Sequence, residues 1–266
     1  MLPFFVILSG EIMDYYKIFD KNIYSHEMDY QGHYPPSAMH RMGNGAYFGS
    51  LRNVGLPYPA IRAKMNATHM VGMTDLHIFQ PIQVLNESQS VELYSLPVMR
   101  TKGVFMARVF VVLHGEILAM MNQISMIVSM ETRRVLPTEY VCEQMGTDIM
   151  KSNMSAPRRL QLPDDMEAVR EIEVRFSECD LNRHMNAGRY IDHICETLGY
   201  WEGTHKIMSR LRIEFDSECV PGDTLTFYVK PTVKGWYVKG VKNHQQLSFK
   251  AYVEMKDVDT LNEKSS

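Results

Sequence analysis

The sequence lacks the cysteine patterns that mark metal-binding or disulfide-rich proteins. It has four cysteines in 266 residues and no CxxC pair. The spacing of Cys142, Cys179, Cys195 and Cys219 matches no common metal site. We therefore expect reduced thiols, a cytoplasmic location, and neither a bound metal nor a cofactor.

The sequence also lacks a long hydrophobic segment. The N-terminal run LPFFVIL has seven residues, whereas a membrane helix needs roughly 20 apolar residues. No Lys or Arg precedes this run, and Glu11 and Asp14 follow it, which argues against a signal peptide. We expect no membrane association, and Met13 is an alternative to Met1 as the start of the chain.

The chain also has no excess of positive charge. The formal net charge is −3, from 28 Lys and Arg against 31 Asp and Glu, which argues against a nucleic-acid-binding protein. The composition of 45% hydrophobic and 22% charged residues is typical of a globular protein of one large or two moderate domains.

Methionine is abundant, with 21 residues, and is concentrated in the stretch EILAMMNQISMIVSM at 116–130. Unbranched Met side chains fill irregular apolar space and adapt to flexible ligands. These residues are therefore either core filler or the lining of a pocket for an apolar ligand.

The two halves of the chain carry the same order of signals. When YSHEMDYQGHYPPSAMHRM is aligned with VRFSECDLNRHMNAGRYID on His33 and His184, Asp29 falls on Asp180. Further on, residues 76–95 align with 211–230 without a gap. The repeat predicts two copies of one structural unit.

Each half predicts a loop, a helix and then several antiparallel strands. Polar turns centred on His114-Gly115 and on Lys242-Asn243 separate pairs of β-rich runs. A helix is predicted in the first half from about Ser37 through Leu51. The second-half helix has an apolar stripe that needs a sheet to pack on, formed by Tyr190, Ile191, Ile194, Leu198 and Trp201.

The region between the halves has weak periodicity and reads as a linker. We predict an N-terminal domain at 13–137, a linker at 138–165 and a C-terminal domain at 166–258.

Asp180, Asn182 and His184 form an Asp-x-Asn-x-His motif before the second-half helix, and Glu218-Cys219 form a Glu-Cys pair further along the chain. Both motifs resemble those of the plant and bacterial acyl-acyl-carrier-protein thioesterases. Where the family continues His-Val-Asn-Asn, this chain has Ala187 in place of the second Asn. The resemblance implies an α+β fold of two tandem hotdog domains, each a curved antiparallel sheet wrapped around a central helix. It also implies an N-terminal acyl-chain pocket and a catalytic C-terminal domain.

These residue types suit thioester hydrolysis. His184 can act as a base near neutral pH, and Asn182 can polarise a carbonyl or orient water. Asp180 can fix the His tautomer or hold Asn182. Glu218 can be a general base or nucleophile, whereas Cys219 would give a Cys-His-Asn mechanism.

Adjacent residues of a strand point to opposite faces, so Glu218 and Cys219 are not both expected to face His184. Cys219 shares its parity with Leu211, Ile213 and Phe215, so we favour Glu218 as the active group and a buried thiol for Cys219.

A purely structural interpretation is also open, because Asp and Asn are common at helix caps and turns. The first half retains Asp29 and His33 but has Gln31, Gln83 and Val84 where the second has Asn182, Glu218 and Cys219. This asymmetry predicts one surviving catalytic site.

The resulting hypothesis is a thioesterase that hydrolyses medium- or long-chain fatty acyl-acyl carrier protein and terminates fatty acid synthesis. The alternatives are an acyl-CoA thioesterase, a hydroxyacyl dehydratase and a non-catalytic acyl-binding module. The chain is expected to be a monomer with two similar halves, or a homodimer. An acidic carrier protein would need a basic patch, and the candidates are Arg133-Arg134, Arg158-Arg159, and Lys206 with Arg210 and Arg212.

Overall fold

The computed structural model describes residues 4–8, 11–83, 88–95, 98–151, 158–202 and 206–257. The helices are α1 (Pro36–Asn53), α2 (Tyr58–Met65), α3 (Thr138–Met145) and α4 (Ala187–Thr197). The strands are β1 (Phe4–Leu8), β2 (Glu11–Tyr24), β3 (Ala67–Ile78), β4 (Ser88–Ser95), β5 (Met99–Thr101), β6 (Val104–Leu113), β7 (Glu116–Ser129), β8 (Glu167–Glu173), β9 (Lys206–Phe215), β10 (Thr224–Pro231), β11 (Trp236–Lys242) and β12 (Gln246–Asp257). Among the described helices, none is long and apolar enough to cross a membrane.

The chain divides into two compact units. Unit 1 comprises Met1–Ile23, Met42–Thr74 and Ser88–Arg158, and unit 2 comprises Tyr24–Arg41, Asp75–Glu87 and Arg159–Ser266. The loop that carries Asp29 and His33 lies within the predicted N-terminal domain and belongs to unit 2.

The strands of unit 1 follow the order β1-β2-β4-β6-β7-β3, with β5 beside β6. A hairpin joins β6 to β7, and its two turn residues, His114 and Gly115, have φ angles of +50° and +86°. Two positive φ angles are typical of a tight hairpin turn that matches the twist of the strands. The predicted turn at this position is therefore confirmed.

A polar network lies in the core of unit 1. The hydroxyl of Tyr47 on α1 contacts Ser125 Oγ at 2.8 Å, and Thr74 Oγ1 donates to Gln123 Oε1 at 2.7 Å. Met121 fits beside the backbone of Gly43, where a Cβ would approach its Sδ and Cε atoms to 2.9 Å. This packing supports core filling, rather than the lining of a ligand pocket, as the role of Met121.

The strands of unit 2 follow the order β9-β12-β11-β10-β8, and all neighbours are antiparallel. Their apolar face packs against α4, whose Tyr190, Ile191 and Ile194 are buried. Burial of this stripe fixes the helix on the sheet, because each large aliphatic side chain contributes about 1.5–3 kcal/mol when removed from water.

The apolar stripe runs further along the sequence than the helix does. Leu198 is the C-cap residue of α4, and Gly199 adopts a φ of +62°, which ends the helix. Leu198 and Trp201 still pack against the core, although they lie outside the helix. The prediction that both belong to the helix was therefore wrong.

The predicted linker contains ordered structure. Helix α3 occupies Thr138–Met145, and its Val141 and Cys142 are buried. Further on, the backbone N–H of Leu160 donates to Glu214 Oε1 at 2.9 Å, and Arg159 contacts Asp216 at 3.1 Å. The end of the linker thus lies against the polar face of β9.

Glu214 is the centre of this attachment, since its side chain is 5% exposed and also contacts Arg212 at 2.6 Å and Lys250 at 3.6 Å. Breaking a buried ion pair by removing one charge costs about 3 kcal/mol or more. We expect Glu214→Gln to lower the free energy of unfolding in urea by about that amount and to speed tryptic cleavage at Arg159. The control is Glu173→Gln, which changes an exposed carboxylate on β8. Equal stability and cleavage rates in the two variants would contradict this account.

Candidate active site

The Asp180–His184 loop is a tight turn held by its own backbone. Asp180 N–H donates to the His184 carbonyl at 2.9 Å, and Arg183 N–H donates to the Asp180 carbonyl at 2.9 Å. The carboxylate of Asp180 accepts from the N–H of Asn182 at 2.8 Å. Asp180 therefore holds the backbone of Asn182, as is typical of an Asx turn.

The loop leads directly into α4. Asn186 is the N-cap residue, and its Oδ1 accepts from the N–H of Gly188 at 2.9 Å. The N–H of Asn186 donates to the Glu178 carbonyl at 2.9 Å, which joins the two ends of the loop. Helix α4 therefore begins directly after the candidate loop.

A second segment approaches the loop from the end of β9. Met185 N–H donates to the Cys219 carbonyl at 2.8 Å. This contact brings Glu218 beside His184, with 3.3 Å between Glu218 Oε1 and His184 Nε2. The two side chains are 26% and 25% exposed, so solvent and a substrate have access to the pair.

Glu218 and Cys219 do not lie on a strand, contrary to the prediction. Strand β9 ends at Phe215, because the N–H groups of Asp216 and Ser217 both donate to the Ser248 carbonyl and the regular ladder stops. The strand-parity argument therefore does not apply to these two residues.

The two side chains nevertheless have different surroundings. Cys219 is fully buried, and its Sγ lies 3.2 Å from Ser248 Oγ. A nucleophilic thiolate requires a partly exposed, electropositive setting, which Cys219 does not have.

Asn182 is half-buried at the tip of the loop. The hydrogen bond that the described residues show for Asn182 is made by its backbone, and its carboxamide carries two donor hydrogens and an acceptor oxygen.

The first-half loop has the same backbone structure. Asp29 N–H donates to the His33 carbonyl at 2.8 Å, and Asp29 Oδ1 accepts from the N–H of Gln31 at 2.9 Å. His33 Nε2 lies 2.9 Å from Gln83 Nε2, in the position where His184 has Glu218. Val84, the counterpart of Cys219, lies outside the described residues.

The two loops differ in access and in the use of the amide. His33 is 5% exposed, and the Gln31 amide donates to the Tyr200 carbonyl at 2.7 Å. The first loop thus uses its amide to support the chain just after α4, whereas the hydrogen bond shown for Asn182 is made by its backbone.

Three groups that support the site were missed by sequence reasoning. Tyr190 was interpreted only as part of the apolar stripe, yet its hydroxyl accepts the N–H of Cys219 at 3.2 Å. Lys242 donates to the Glu218 carbonyl at 2.7 Å. His193 on α4 contacts Glu178 at 2.6 Å. The hydroxyl of a tyrosine within an apolar stripe was the available signal for Tyr190, and no local signal exists for Lys242.

The predicted basic patches are partly neutralised. Arg210 makes a bidentate contact with Asp75 at 3.1 Å, and Arg212 and Arg159 contact carboxylates as described above. Arg133 and Arg134 are exposed. Arg183, within the candidate loop, and Arg175, shortly before it in the sequence, are exposed.

Within the described ranges, no group of three His, Cys, Asp or Glu side chains is arranged to hold a metal ion. All four cysteines are free thiols.

Comparisons with known proteins agree with this architecture. Residues 162–263 match the family model described as acyl-ACP thioesterase C-terminal domain. An acyl-ACP thioesterase from Bacteroides thetaiotaomicron superposes with a TM-score of 0.74 at 15% identity, over 90% of this chain and 97% of that chain. A 12:0-ACP thioesterase from Umbellularia californica superposes with a TM-score of 0.73 at 16% identity, over 90% and 96%.

No curated protein sequence matches this chain significantly. The structural matches confirm the predicted α+β fold of two tandem hotdog domains, and the family match confirms the resemblance inferred from the sequence.

The Glu178–His193 contact predicts a pH-dependent contribution to stability. Burial opposes ionisation of Glu178, but hydrogen bonds from Arg175 N–H and from His193 outweigh it and hold the pKa of Glu178 below its usual range. A carboxyl with a lowered pKa stabilises the fold above its unfolded pKa, about 4.3 for Glu, and loses this contribution as pH falls through the folded value.

We therefore expect Glu178→Gln to be less stable than the unmodified chain at pH 7, with the difference shrinking as pH falls from 6 towards 3. Urea unfolding at a series of pH values measures both. A stability difference that stays constant over this range would show that the ionised carboxylate is not responsible.

Proposed function

We propose that this chain hydrolyses fatty acyl-acyl carrier protein to free fatty acid and carrier protein, because residues 162–263 match the family model described as acyl-ACP thioesterase C-terminal domain. We propose that it does so in the cytoplasm, with medium- or long-chain substrates, and thereby terminates fatty acid synthesis. The observation that carries the proposal is the contact between His184 and Glu218, on the loop that also carries Asn182.

In the proposed reaction, water adds to the thioester carbonyl carbon and the carbon–sulfur bond breaks. The His184–Glu218 pair takes the proton that water loses and returns it to the departing sulfur, so that the products are a carboxylic acid and a thiol. The Asn182 amide donates to the carbonyl oxygen as negative charge develops there.

Asp180 has a positioning role in this scheme. Its carboxylate accepts from the Asn182 backbone and thereby orients the loop tip. Asp29 makes the same contact in the first loop, which supports a turn-forming role for this Asp in both halves.

The N-terminal half is proposed to bind the acyl chain. Within unit 1, the face of β7 that carries Gln123 and Ser125 is filled by the polar network. We therefore assign the binding of the acyl chain to apolar side chains of β6 and β7 that lie outside this polar network.

The acyl carrier protein is the proposed partner, because an acidic partner fits a basic rim around the site. Arg175 and Arg183 provide such a rim, and Phe176 and Leu181 beside them are 86% and 87% exposed.

The assay that tests the function follows thiol release from acyl carrier proteins and acyl-CoAs of several chain lengths. Release from acyl carrier proteins supports the proposal, and release from CoA thioesters alone would assign the chain to the acyl-CoA thioesterases. An enoyl product formed from a hydroxyacyl substrate would identify a dehydratase.

The choice between Glu218 and Cys219 is tested by two substitutions. Glu218→Gln removes the carboxylate while preserving the shape of the side chain, and we expect kcat to fall by about 100-fold or more. Cys219→Ala should keep kcat within about tenfold, since a deeply buried thiol is a poor nucleophile. Loss of nearly all hydrolysis in Cys219→Ala, with a folded protein by circular dichroism, would favour the thiol mechanism instead.

The carrier-binding role of the rim is tested by charge reversal. We expect Arg183→Glu to raise the KM for acyl-acyl carrier protein by about tenfold at low salt, because a rim charge acts mainly on association. Hydrolysis of a small thioester should change little. Arg134→Glu is the matched comparison from a patch predicted by sequence, and a larger KM effect there would move the docking surface to that patch.

A further inference from the structure

Three hydrogen bonds hold the backbone of Glu218 and Cys219 in place. The Glu218 carbonyl accepts from Lys242 Nζ at 2.7 Å, and the Cys219 N–H donates to the Tyr190 hydroxyl at 3.2 Å. The Cys219 carbonyl accepts from Met185 N–H at 2.8 Å. A loop segment held at three successive polar groups has little freedom to rotate.

Lys242 reaches the Glu218–Cys219 peptide from the end of β11. Its side chain is 16% exposed, and its Nζ also lies 3.8 Å from Asp223 Oδ2. The ammonium group therefore lies between a carboxylate and the carbonyl of the residue that carries the candidate base. A charge-assisted hydrogen bond of this kind is stronger than one between neutral groups.

Tyr190 reaches the same peptide from α4. Its ring is buried between Phe215 and Phe249, with centroid distances of 5.4 and 5.5 Å and edge-to-face geometry. Its hydroxyl also interacts with the side chains of Cys219 and Ser248, and burial raises its pKa, so the hydroxyl remains protonated. The aromatic contacts fix the ring, and the ring therefore fixes the hydroxyl.

The first half provides an internal comparison. Met39 stands where Tyr190 stands when the two loops are aligned on His33 and His184. The half that has Gln83 in place of the carboxylate thus also lacks the hydroxyl. Met39 is as deeply buried as Tyr190, so packing of the helix does not require a hydroxyl at this position. The hydroxyl occurs in the half that also has the Glu218 carboxylate.

We propose that Tyr190 and Lys242 are positioning residues that fix the Glu218–Cys219 peptide and so hold the Glu218 carboxylate against His184. This inference rests on the proposed function of the His184–Glu218 pair. Neither residue contacts the reacting atoms, and both act through Glu218.

The kinetic test compares two buried tyrosines. Tyr190→Phe removes one hydroxyl and keeps the ring, and a displaced catalytic group can cost about 100-fold in rate, so we expect kcat to fall by that order with KM nearly unchanged. Tyr200→Phe is the control, because Tyr200 is buried next to the same helix and its hydroxyl bonds to the backbone of Met208. We expect kcat of Tyr200→Phe to stay within about twofold.

A double-mutant cycle tests whether Tyr190 affects kcat through Glu218. If Tyr190 acts through Glu218, Tyr190→Phe should reduce kcat by less than about twofold when Glu218 is already Gln. An undiminished loss in that background would overturn the proposal, because Tyr190 would then act independently of the carboxylate.

Lys242 supplies a second set of variants, which keeps the test decisive if Tyr190→Phe does not fold. Lys242→Met should lower kcat with little change in KM, and Lys242→Arg should restore much of it because the donor is retained. Equal loss in the Met and Arg variants would overturn the role assigned to the donor.

An activity-independent measurement separates this inference from the proposed function. The imidazole nitrogen signals of His184, assigned with His184→Gln, report on its carboxylate neighbour in an NMR spectrum of the full chain. We expect Tyr190→Phe and Lys242→Met to move these signals towards those of Glu218→Gln, and Tyr200→Phe to leave them in place. Absence of hydrolysis by the unmodified chain would reject the proposed function alone, whereas unmoved His184 signals in both positioning variants would reject this inference.

Discussion

The hydrogen bond from Met185 N–H to the Cys219 carbonyl joins the two segments on which the candidate site depends. His184 precedes its donor and Glu218 precedes its acceptor, so one backbone contact determines that an imidazole and a carboxylate meet. The contact is itself fixed by α4, because Asn186 begins the helix immediately after Met185. Burial of the apolar stripe of α4 therefore sets the geometry of a polar site at its N-terminal end. Polar atoms on that helix extend this control, through the Tyr190 hydroxyl to one segment and through His193 to the other.

The duplicated loop separates what the fold requires from what the chemistry requires. Both Asp29 and Asp180 accept the N–H of the residue two positions later, so this carboxylate is explained by turn formation alone. The amide residue differs, because Gln31 is long enough to reach the Tyr200 carbonyl, while the shorter Asn182 ends near solvent. The same backbone thus supports a structural brace in one half and an amide near solvent in the other.

Local patterns predicted those features whose causes are local. The turn at His114-Gly115 and helix α1 each depend on residues within a few positions, and both were identified from the sequence. The apolar stripe misplaced the end of α4, because Trp201 packs on the core from a loop and hydrophobicity does not distinguish the two conformations. Lys242 lies 24 residues from Glu218, and such a contact depends on the order of strands in the sheet. The catalytic roles of Asp180, Asn182, His184, Glu218 and Cys219 stay predictions.

Access and charge together distinguish the two histidine loops. His33 is buried beside a neutral amide, whereas His184 is a quarter exposed beside a carboxylate. An imidazole that is only 5% exposed has little contact with water or with a substrate. The low exposure of His33 therefore distinguishes the first loop from the candidate site. The second loop keeps its groups near solvent, and this exposure requires that its geometry be set from the buried side, where Tyr190 lies beneath the Glu218–Cys219 peptide.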